Sequence, residues 1–118
     1  MTNHIERFEN YLSTKEDFEH NIIQQKQVII LHGNGCNGKS YLTNQCIELI
    51  KQNNYSVIQD VQYGKGVNRL NTTNFERKLN NLPKKTIFHF LFDPFIEWNL
   101  EKPENVYVIN MNHISFRY

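Results

Sequence analysis

The chain has 118 residues, of which 39% are hydrophobic and 21% charged, and its formal net charge at pH 7 is +1. This size predicts one domain, 1–118, that buries roughly two-thirds of its unfolded surface. The near-neutral charge gives no global attraction to nucleic acid or membrane. No apolar run approaches the ~18 residues of a membrane span, and the acidic first residues do not resemble a signal peptide.

The first 26 residues predict two helices. Apolar residues between Ile5 and Leu12 have a helical spacing and indicate the first. The segment STKED that follows offers two alternative capping boxes, one beginning at Ser13 and one at Thr14. We therefore expect a second helix that begins there and ends near Gln25.

The rest of the chain alternates predicted strands with predicted helices. Four short apolar or alternating runs indicate strands at 27–32, 55–61, 86–92 and 105–111. Helices are predicted after Lys39 to about Asn53, from a capping box at Thr73 and Glu76 to Pro83, and briefly in DPFIEWNL. This order predicts an α/β fold: a mostly parallel sheet of about four strands with helices on both faces, over 27–118, preceded by the N-terminal helices at 1–26.

The most specific motif lies between the first strand and its helix. GNGCNGKS, at 33–40, fits the phosphate-loop pattern G-x-x-x-x-G-K-[ST] at every position. Glycines let successive backbone amides point at phosphate oxygens, and we expect Lys39 to reach the β- and γ-phosphates and the Ser40 hydroxyl to bind Mg²⁺. The predicted cofactors are ATP or another nucleoside triphosphate and Mg²⁺. The predicted nucleotide-binding residues are Gly33, Asn34, Gly35, Cys36, Asn37, Gly38, Lys39, Ser40 and Tyr41.

A carboxylate is also expected on Mg²⁺. Asp93 follows the apolar segment 86–92 directly and is the predicted metal ligand beside Ser40, with Asp60 as the alternative. The Asp-Pro pair is equally a good helix N-cap followed by proline at the first helical position, and both roles can coexist. Glu97, four residues after Asp93, is a candidate catalytic base or a solvated helix residue.

The end of the last predicted strand carries two asparagines. We expect this strand to lie beside the phosphate-loop strand, which would place Asn112 near the γ-phosphate, where it could orient a water molecule. Asn110 is the second choice, and a simple strand-end role is the alternative. The candidate catalytic residues are therefore Lys39, Asn112 and Glu97, while His32 and His89 are expected to be strand residues.

Two motifs resemble those of superfamily 3 helicases of the poxvirus and phage primase-helicase type. GNGCNGKS is similar to their phosphate loop, and VINMNHIS resembles their motif C, an apolar strand that ends in asparagine. The resemblance covers about 27–115 and implies that Asn112 is a sensor with His113 beside it. It also implies a P-loop NTPase fold with strand order 5-1-4-3-2, and a hexameric ATP-driven helicase of viral or mobile-element type.

Hydrolysis is predicted to be weak or absent. Pro94 stands where those helicases carry a second acid, and Arg117 is the one arginine near the end of the sequence. One alternative is a small nucleotide or metabolite kinase, with Asp60 as its acid and Lys65 and Arg69 holding the acceptor. Another is a degenerate module that binds a nucleotide or anion as a structural element.

Partners and location follow from charge and cysteine content. Residues 61–85 contain six basic residues and one acid, which indicates either nucleic-acid binding or a solvated face. Cys36 and Cys46 are spaced too far along a helix for a disulfide, so a reduced cytoplasmic setting is expected, in a host cell or virus-associated if the protein is viral. A homo-oligomer or a larger replication protein is the expected assembly.

Overall fold

The computed structural model describes residues 4–33, 38–58, 72–82 and 84–112. In these ranges the elements are α1 (His4–Ile23), β1 (Val28–His32), α2 (Lys39–Gln45), α3 (Ile47–Gln52), β2 (Ser56–Ile58), α4 (Thr72–Asn80), β3 (Thr86–Phe90), α5 (Pro94–Glu97) and β4 (Val106–Asn110). None of these helices combines the length and the apolar content that a membrane span requires.

The four strands form one all-parallel sheet in the order β2-β3-β1-β4. β1 pairs with β3 up to His32 opposite Phe90, and with β4 up to His32 opposite Asn110. Every residue of β1 and of β3 is buried, as expected for strands covered by helices on both faces. The prediction of a parallel α/β sheet of about four strands is confirmed.

The strand order differs from the one that the helicase resemblance implies. In the order 5-1-4-3-2 the fourth strand separates the first from the third, whereas here β3 pairs directly with β1 and β4 lies on the other side of β1. That implied order is wrong for this chain. Burial gives a physical reason, because the fully buried β1 and β3 suit the interior of the sheet, and the partly exposed β2 and β4 suit its edges. The expectation that the last strand borders the phosphate-loop strand is confirmed.

Alternate strand residues face two separate hydrophobic cores. On one face, Leu31 packs in a cluster with side chains of α1, α2 and α3, including Leu42. On the other face, Ile30 packs in an aromatic-rich cluster with Phe75 of α4 and Phe95 of α5. The helices therefore cover both faces of the sheet.

The N-terminal segment is one helix where two were predicted. α1 continues without a break through STKED, so neither Ser13 nor Thr14 begins a new helix. The Thr14 hydroxyl instead donates to the carbonyl oxygen of Asn10 at 2.9 Å, a bond to the preceding turn. Phe18 and Ile22, both fully buried, continue the apolar stripe that begins at Tyr11. One uninterrupted helix buries this whole stripe, which explains why the capping signals are overridden.

The helix after the phosphate loop is interrupted once, where one continuous helix was predicted. Cys46 leaves the helical region, at φ −107° and ψ 16°, and separates α2 from α3. Its N–H is shared between the carbonyls of Leu42 and Thr43, at 3.2 and 3.1 Å, which tightens the last turn of α2. The Ile50 N–H still bonds to the Cys46 carbonyl at 2.9 Å, so the predicted inward positions Leu42, Cys46 and Ile50 share one core.

Two other predicted boundaries differ from those of the structure. α4 begins at Thr72, so Thr73 lies in its first turn and the capping box predicted there is not the helix start. β3 ends at Phe90, three residues before Asp93, rather than at residue 92. The short helix predicted in DPFIEWNL is confirmed as α5. Residues 59–61 of the second predicted strand, and Pro83, lie outside the described residues.

Candidate functional site

Three strands end at the same edge of the sheet, because β1, β3 and β4 are parallel and in register. The Gly33 N–H donates to the Phe90 carbonyl at 3.1 Å, so pairing with β3 extends one residue beyond β1. On the other side, the Met111 N–H donates to the His32 carbonyl at 2.8 Å. The start of the phosphate-loop segment is therefore held between the ends of both neighbouring strands.

The topology of the sheet predicts a crevice at this edge between β1 and β3. The helix that follows β1 packs on one face of the sheet through Leu42, and the helix that follows β3 packs on the opposite face through Phe95. The chain thus leaves two adjacent strands in opposite directions. Open parallel sheets bind their ligands at such a point, beyond the carboxyl ends of the strands.

The two ends of the phosphate-loop segment meet at this crevice. Lys39, half-buried at the start of α2, donates a hydrogen bond from Nζ to the Gly33 carbonyl oxygen. Gly38 is in the left-handed region at φ 78° and ψ 27°, where a residue with a Cβ would cost roughly 1–2 kcal/mol. The turn into α2 therefore favours glycine at this position. Residues 34–37 lie outside the described residues.

Asp93 borders the crevice from the β3 side. Its Oδ1 accepts hydrogen bonds from the N–H groups of Phe95, at 2.9 Å, and Ile96, at 3.4 Å, with Pro94 at the first helical position of α5. The predicted N-cap role is confirmed. Within the described part of the chain its Oδ2 makes no hydrogen bond, so one carboxylate oxygen is left over for another ligand.

His32 is a member of this site that sequence reasoning assigned only to the strand. Its side chain is 7% exposed, and its Nδ1 is buried with no hydrogen-bond partner among the described residues. Burial lowers the pKa of His32, the Asp93 carboxylate raises it, and the Lys39 ammonium lowers it. The charges of Asp93 and Lys39 both act on His32, so the three side chains lie close enough to interact electrostatically. The available sequence signal was its position as the last strand residue before the glycine-rich segment.

A hydrogen-bond chain connects β3 to the first turn of α2. The Thr43 hydroxyl donates its one hydrogen to the Lys39 carbonyl at 2.9 Å, so its contact with His89 Nε2, at 2.8 Å, requires the imidazole to donate. His89 is thereby assigned as the tautomer with hydrogen on Nε2. Both side chains are buried, which makes this chain a rigid support beneath Lys39.

The asparagines at the end of β4 have separate roles. The Oδ1 of Asn110 accepts the backbone N–H of Asn112 at 2.8 Å, so the Asn110 side chain closes the turn at the strand end. The strand-end alternative thus holds for Asn110. Asn112 is exposed at the same edge as Gly33, and its proposed contact with a water molecule stays a prediction.

The remaining predicted site residues are exposed or lie outside the described residues. Ser40 and Tyr41 are exposed in the first turn of α2, and the Tyr41 ring lies 5.7 Å from that of Tyr11 in α1. Glu97 is exposed at the last position of α5, one turn beyond Asp93. Three other candidates, Asp60, Lys65 and Arg69, lie outside the described residues.

Comparison of the chain with protein-family models, with curated proteins and with solved structures found no match.

Proposed function

We propose that the protein binds a nucleoside triphosphate, ATP or another, with Mg²⁺ at the edge between β1 and β3. One observation carries this: a complete G-x-x-x-x-G-K-S segment joins a buried parallel strand to a helix, at the crevice where open parallel sheets bind ligands. The hydrogen bond from Lys39 to Gly33 supports the proposal, because it holds the ammonium group of Lys39 next to the first glycine of the motif.

The described residues fit the cofactors that the motif implies. Mg²⁺ prefers hard oxygen ligands and usually takes one or two from the protein, the rest coming from phosphates and water. Ser40 offers a hydroxyl, and Asp93 offers the Oδ2 atom that capping leaves unused. When bound, Mg²⁺ neutralises charge on the β- and γ-phosphates. Lys39 supplies a further positive charge to the same oxygens.

Binding with slow hydrolysis is the activity that we propose. Pro94 occupies the position after Asp93, and Glu97 is exposed one turn away, so no carboxylate of the described residues is held as a base. The helicase-related assignment, of viral or mobile-element type, depends on the two sequence motifs alone, since the sheet order is not the one that the resemblance implies.

Thermal unfolding with and without MgATP tests the binding proposal. Ligand at a hundredfold excess over its Kd stabilises a fold by about 2.7 kcal/mol, which corresponds to a rise in Tm of roughly 10 °C for a chain of this size. We expect Lys39→Ala to remove most of that shift, and Lys102→Ala, an exposed control, to retain it. An equal shift in Lys39→Ala and the unaltered protein would contradict the assignment.

Product analysis after incubation with MgATP identifies the reaction class. Phosphate released alone, well below about 1 s⁻¹, is the expected result. A phosphorylated acceptor would instead support the small-kinase alternative, in which Asp60 is the acid. Tight binding without any product would support the structural nucleotide- or anion-binding module.

A further inference from the structure

A second candidate site lies at the opposite edge of the sheet from the phosphate loop. Here the strands begin, and two grooves of about 480 and 690 Å³ open beside β2 and β3. The first includes Ser56 and Thr86, the first residues of these strands, and the second includes Gln27, just before β1. Leu82 and Lys84 line both grooves, so the two are continuous.

Five cationic side chains line these grooves, and we call them the basic surface: Lys51, Arg77, Lys78, Lys84 and Lys85. No carboxylate lines either groove, and none of the five forms an ion pair with another described residue. Lys85 bonds instead to the Gln25 side-chain oxygen and lies 5.3 Å from the centre of the Tyr55 ring. In a chain whose net charge is only +1, this is a concentrated positive patch that has no ion-pair partner among the described residues.

The lining between the cations favours a phosphodiester backbone. Asparagine and glutamine side chains, including Asn54, Asn74 and Asn81, lie among the charges, and such amides bind phosphate and sugar oxygens in nucleic-acid complexes. One hydrogen of the Asn81 amide already donates to the Arg77 carbonyl, which leaves the other for a ligand. The aromatic residue of the lining, Tyr55, is 8% exposed and its hydroxyl donates to the Lys26 carbonyl at 2.6 Å. It therefore provides no platform on which a base could stack.

The shape of the basic surface disfavours a membrane. Binding at a bilayer surface needs apolar side chains that protrude into the headgroup region. The apolar residues of the first groove, Ile58 and Leu82, are partly buried in the core that also holds Phe75. They form the floor of a concave surface and do not project from it.

We infer that the basic surface binds the phosphodiester backbone of a nucleic acid without reading its sequence. The site is separate from the nucleotide site, because no described residue of the segment 33–40 lines either groove, and the five cations lie on α3, in the last turn of α4 or just before β3 begins. This inference goes beyond the proposed function and does not depend on it. Both ligands can therefore be bound at once.

Fluorescence anisotropy with a labelled single-stranded 20-nucleotide DNA of mixed sequence tests this inference. Each phosphate contact contributes about −0.7 to the slope of log K against log salt for a single strand, so five contacts predict a slope of about −3.5. We expect the double variant Lys78→Ala, Lys84→Ala to weaken binding at 50 mM salt and to reduce the slope to about −2.

A charge-matched control separates the basic surface from overall charge. Lys15→Ala, Lys102→Ala removes the same two charges from positions that line neither groove, and it should leave the affinity and the salt slope nearly unchanged. Equal weakening in both double variants would overturn the inference. Because Lys78, Lys84 and Lys102 are exposed and Lys15 is half-buried, thermal unfolding of each variant checks that a change in binding is not a loss of folding.

Two further measurements complete the test. Lys39→Ala should bind the oligonucleotide as the unaltered protein does, and saturating MgATP should not displace it. Displacement by MgATP would overturn the separate site, whereas failure of MgATP to bind at all would affect only the proposed function. Binding to phosphatidylserine vesicles but not to the oligonucleotide, lost in Lys78→Ala, Lys84→Ala, would show that the surface serves a membrane instead.

Discussion

At the scale of single residues, the two carboxylate oxygens of Asp93 have different surroundings. Its Oδ1 caps α5, while Oδ2 makes no hydrogen bond in the described ranges. The local sequence Asp-Pro is enough to predict the cap. The proposed metal role depends on which strand lies next to β3, which the local sequence does not contain.

Two substitutions of Asp93 separate these roles. Asn is as good an N-cap as Asp, so Asp93→Asn should leave the free energy of unfolding nearly unchanged while it weakens the Mg²⁺-dependent part of ATP binding. Asp93→Ala should lose about 1 kcal/mol of stability as well. Urea unfolding and ATP titrations with and without Mg²⁺ measure both effects. Glu97→Gln is the matched control and should change neither, since Glu97 is exposed.

The hydrogen bond from His89 to Thr43 gives a second prediction at this scale. Thr43→Val keeps the shape but leaves the buried Nε2–H of His89 without its acceptor, which should cost about 1–3 kcal/mol in urea unfolding. In a His89→Phe background that donor is absent, so the same substitution should cost less. If the two costs are equal, the hydrogen bond does not stabilise the fold.

At the scale of elements, α1 is the clearest case in which packing overrides a local signal. The capping boxes at Ser13 and Thr14 are genuine sequence patterns, yet the stripe from Tyr11 to Ile22 is buried only if the helix continues. Tertiary burial of several apolar side chains outweighs a cap, which is worth about 1 kcal/mol. For the same reason β1 and β3, buried throughout, take the centre of the sheet.

Ser13 reports directly on whether α1 is one helix. In a continuous helix Ser13 is an exposed interior residue, so Ser13→Ala should leave stability unchanged or raise it by a few tenths of a kcal/mol. Ser13→Pro should cost about 3 kcal/mol or more. Chemical denaturation of both variants measures this. A loss of about 1 kcal/mol in Ser13→Ala would instead mean that Ser13 caps a second helix.

At the scale of the whole molecule, the burial of groups that lose a proton at high pH makes the free energy of unfolding depend on pH in the alkaline range. Burial raises the pKa of the Cys46 thiol to about 11, and that of Tyr55 to about 12. In the unfolded chain these groups lose their protons near their ordinary values of 9.0 and 10.0. Above pH 9 the folded state therefore holds more protons than the unfolded state.

The free energy of unfolding should accordingly fall as the pH rises from 9 towards 12. These groups contribute fully below pH 9, and their contribution is lost as the pH passes their raised values. Urea unfolding at a series of pH values measures the slope. In Cys46→Ala the decline between pH 9 and 10 should be smaller, because the thiol is gone. An unchanged slope in that variant would assign the decline to other groups.

The sequence by itself determined the features that depend on neighbours along the chain. The four strands, the phosphate-loop segment with Gly38 in a left-handed turn, and the Asp93 cap all follow from local periodicity and turn chemistry. The absence of a Cβ sets the energy of the Gly38 turn, and the Asp93 side chain bonds to an N–H two residues away. The strands follow from local periodicity in kind and approximate position, while their exact bounds depend on pairing.

Only the tertiary structure decided which of these pieces touch. Contacts between residues far apart in sequence depend on the tertiary structure: the strand order β2-β3-β1-β4, the interaction of His32 with Asp93, the bond between His89 and Thr43, and the gathering of Lys51 with Lys84. Several parallel pairings of these apolar strands satisfy the same local rules. The choice among them depends on how helices on both faces share the burial of apolar surface, and that balance belongs to the folded chain as a whole.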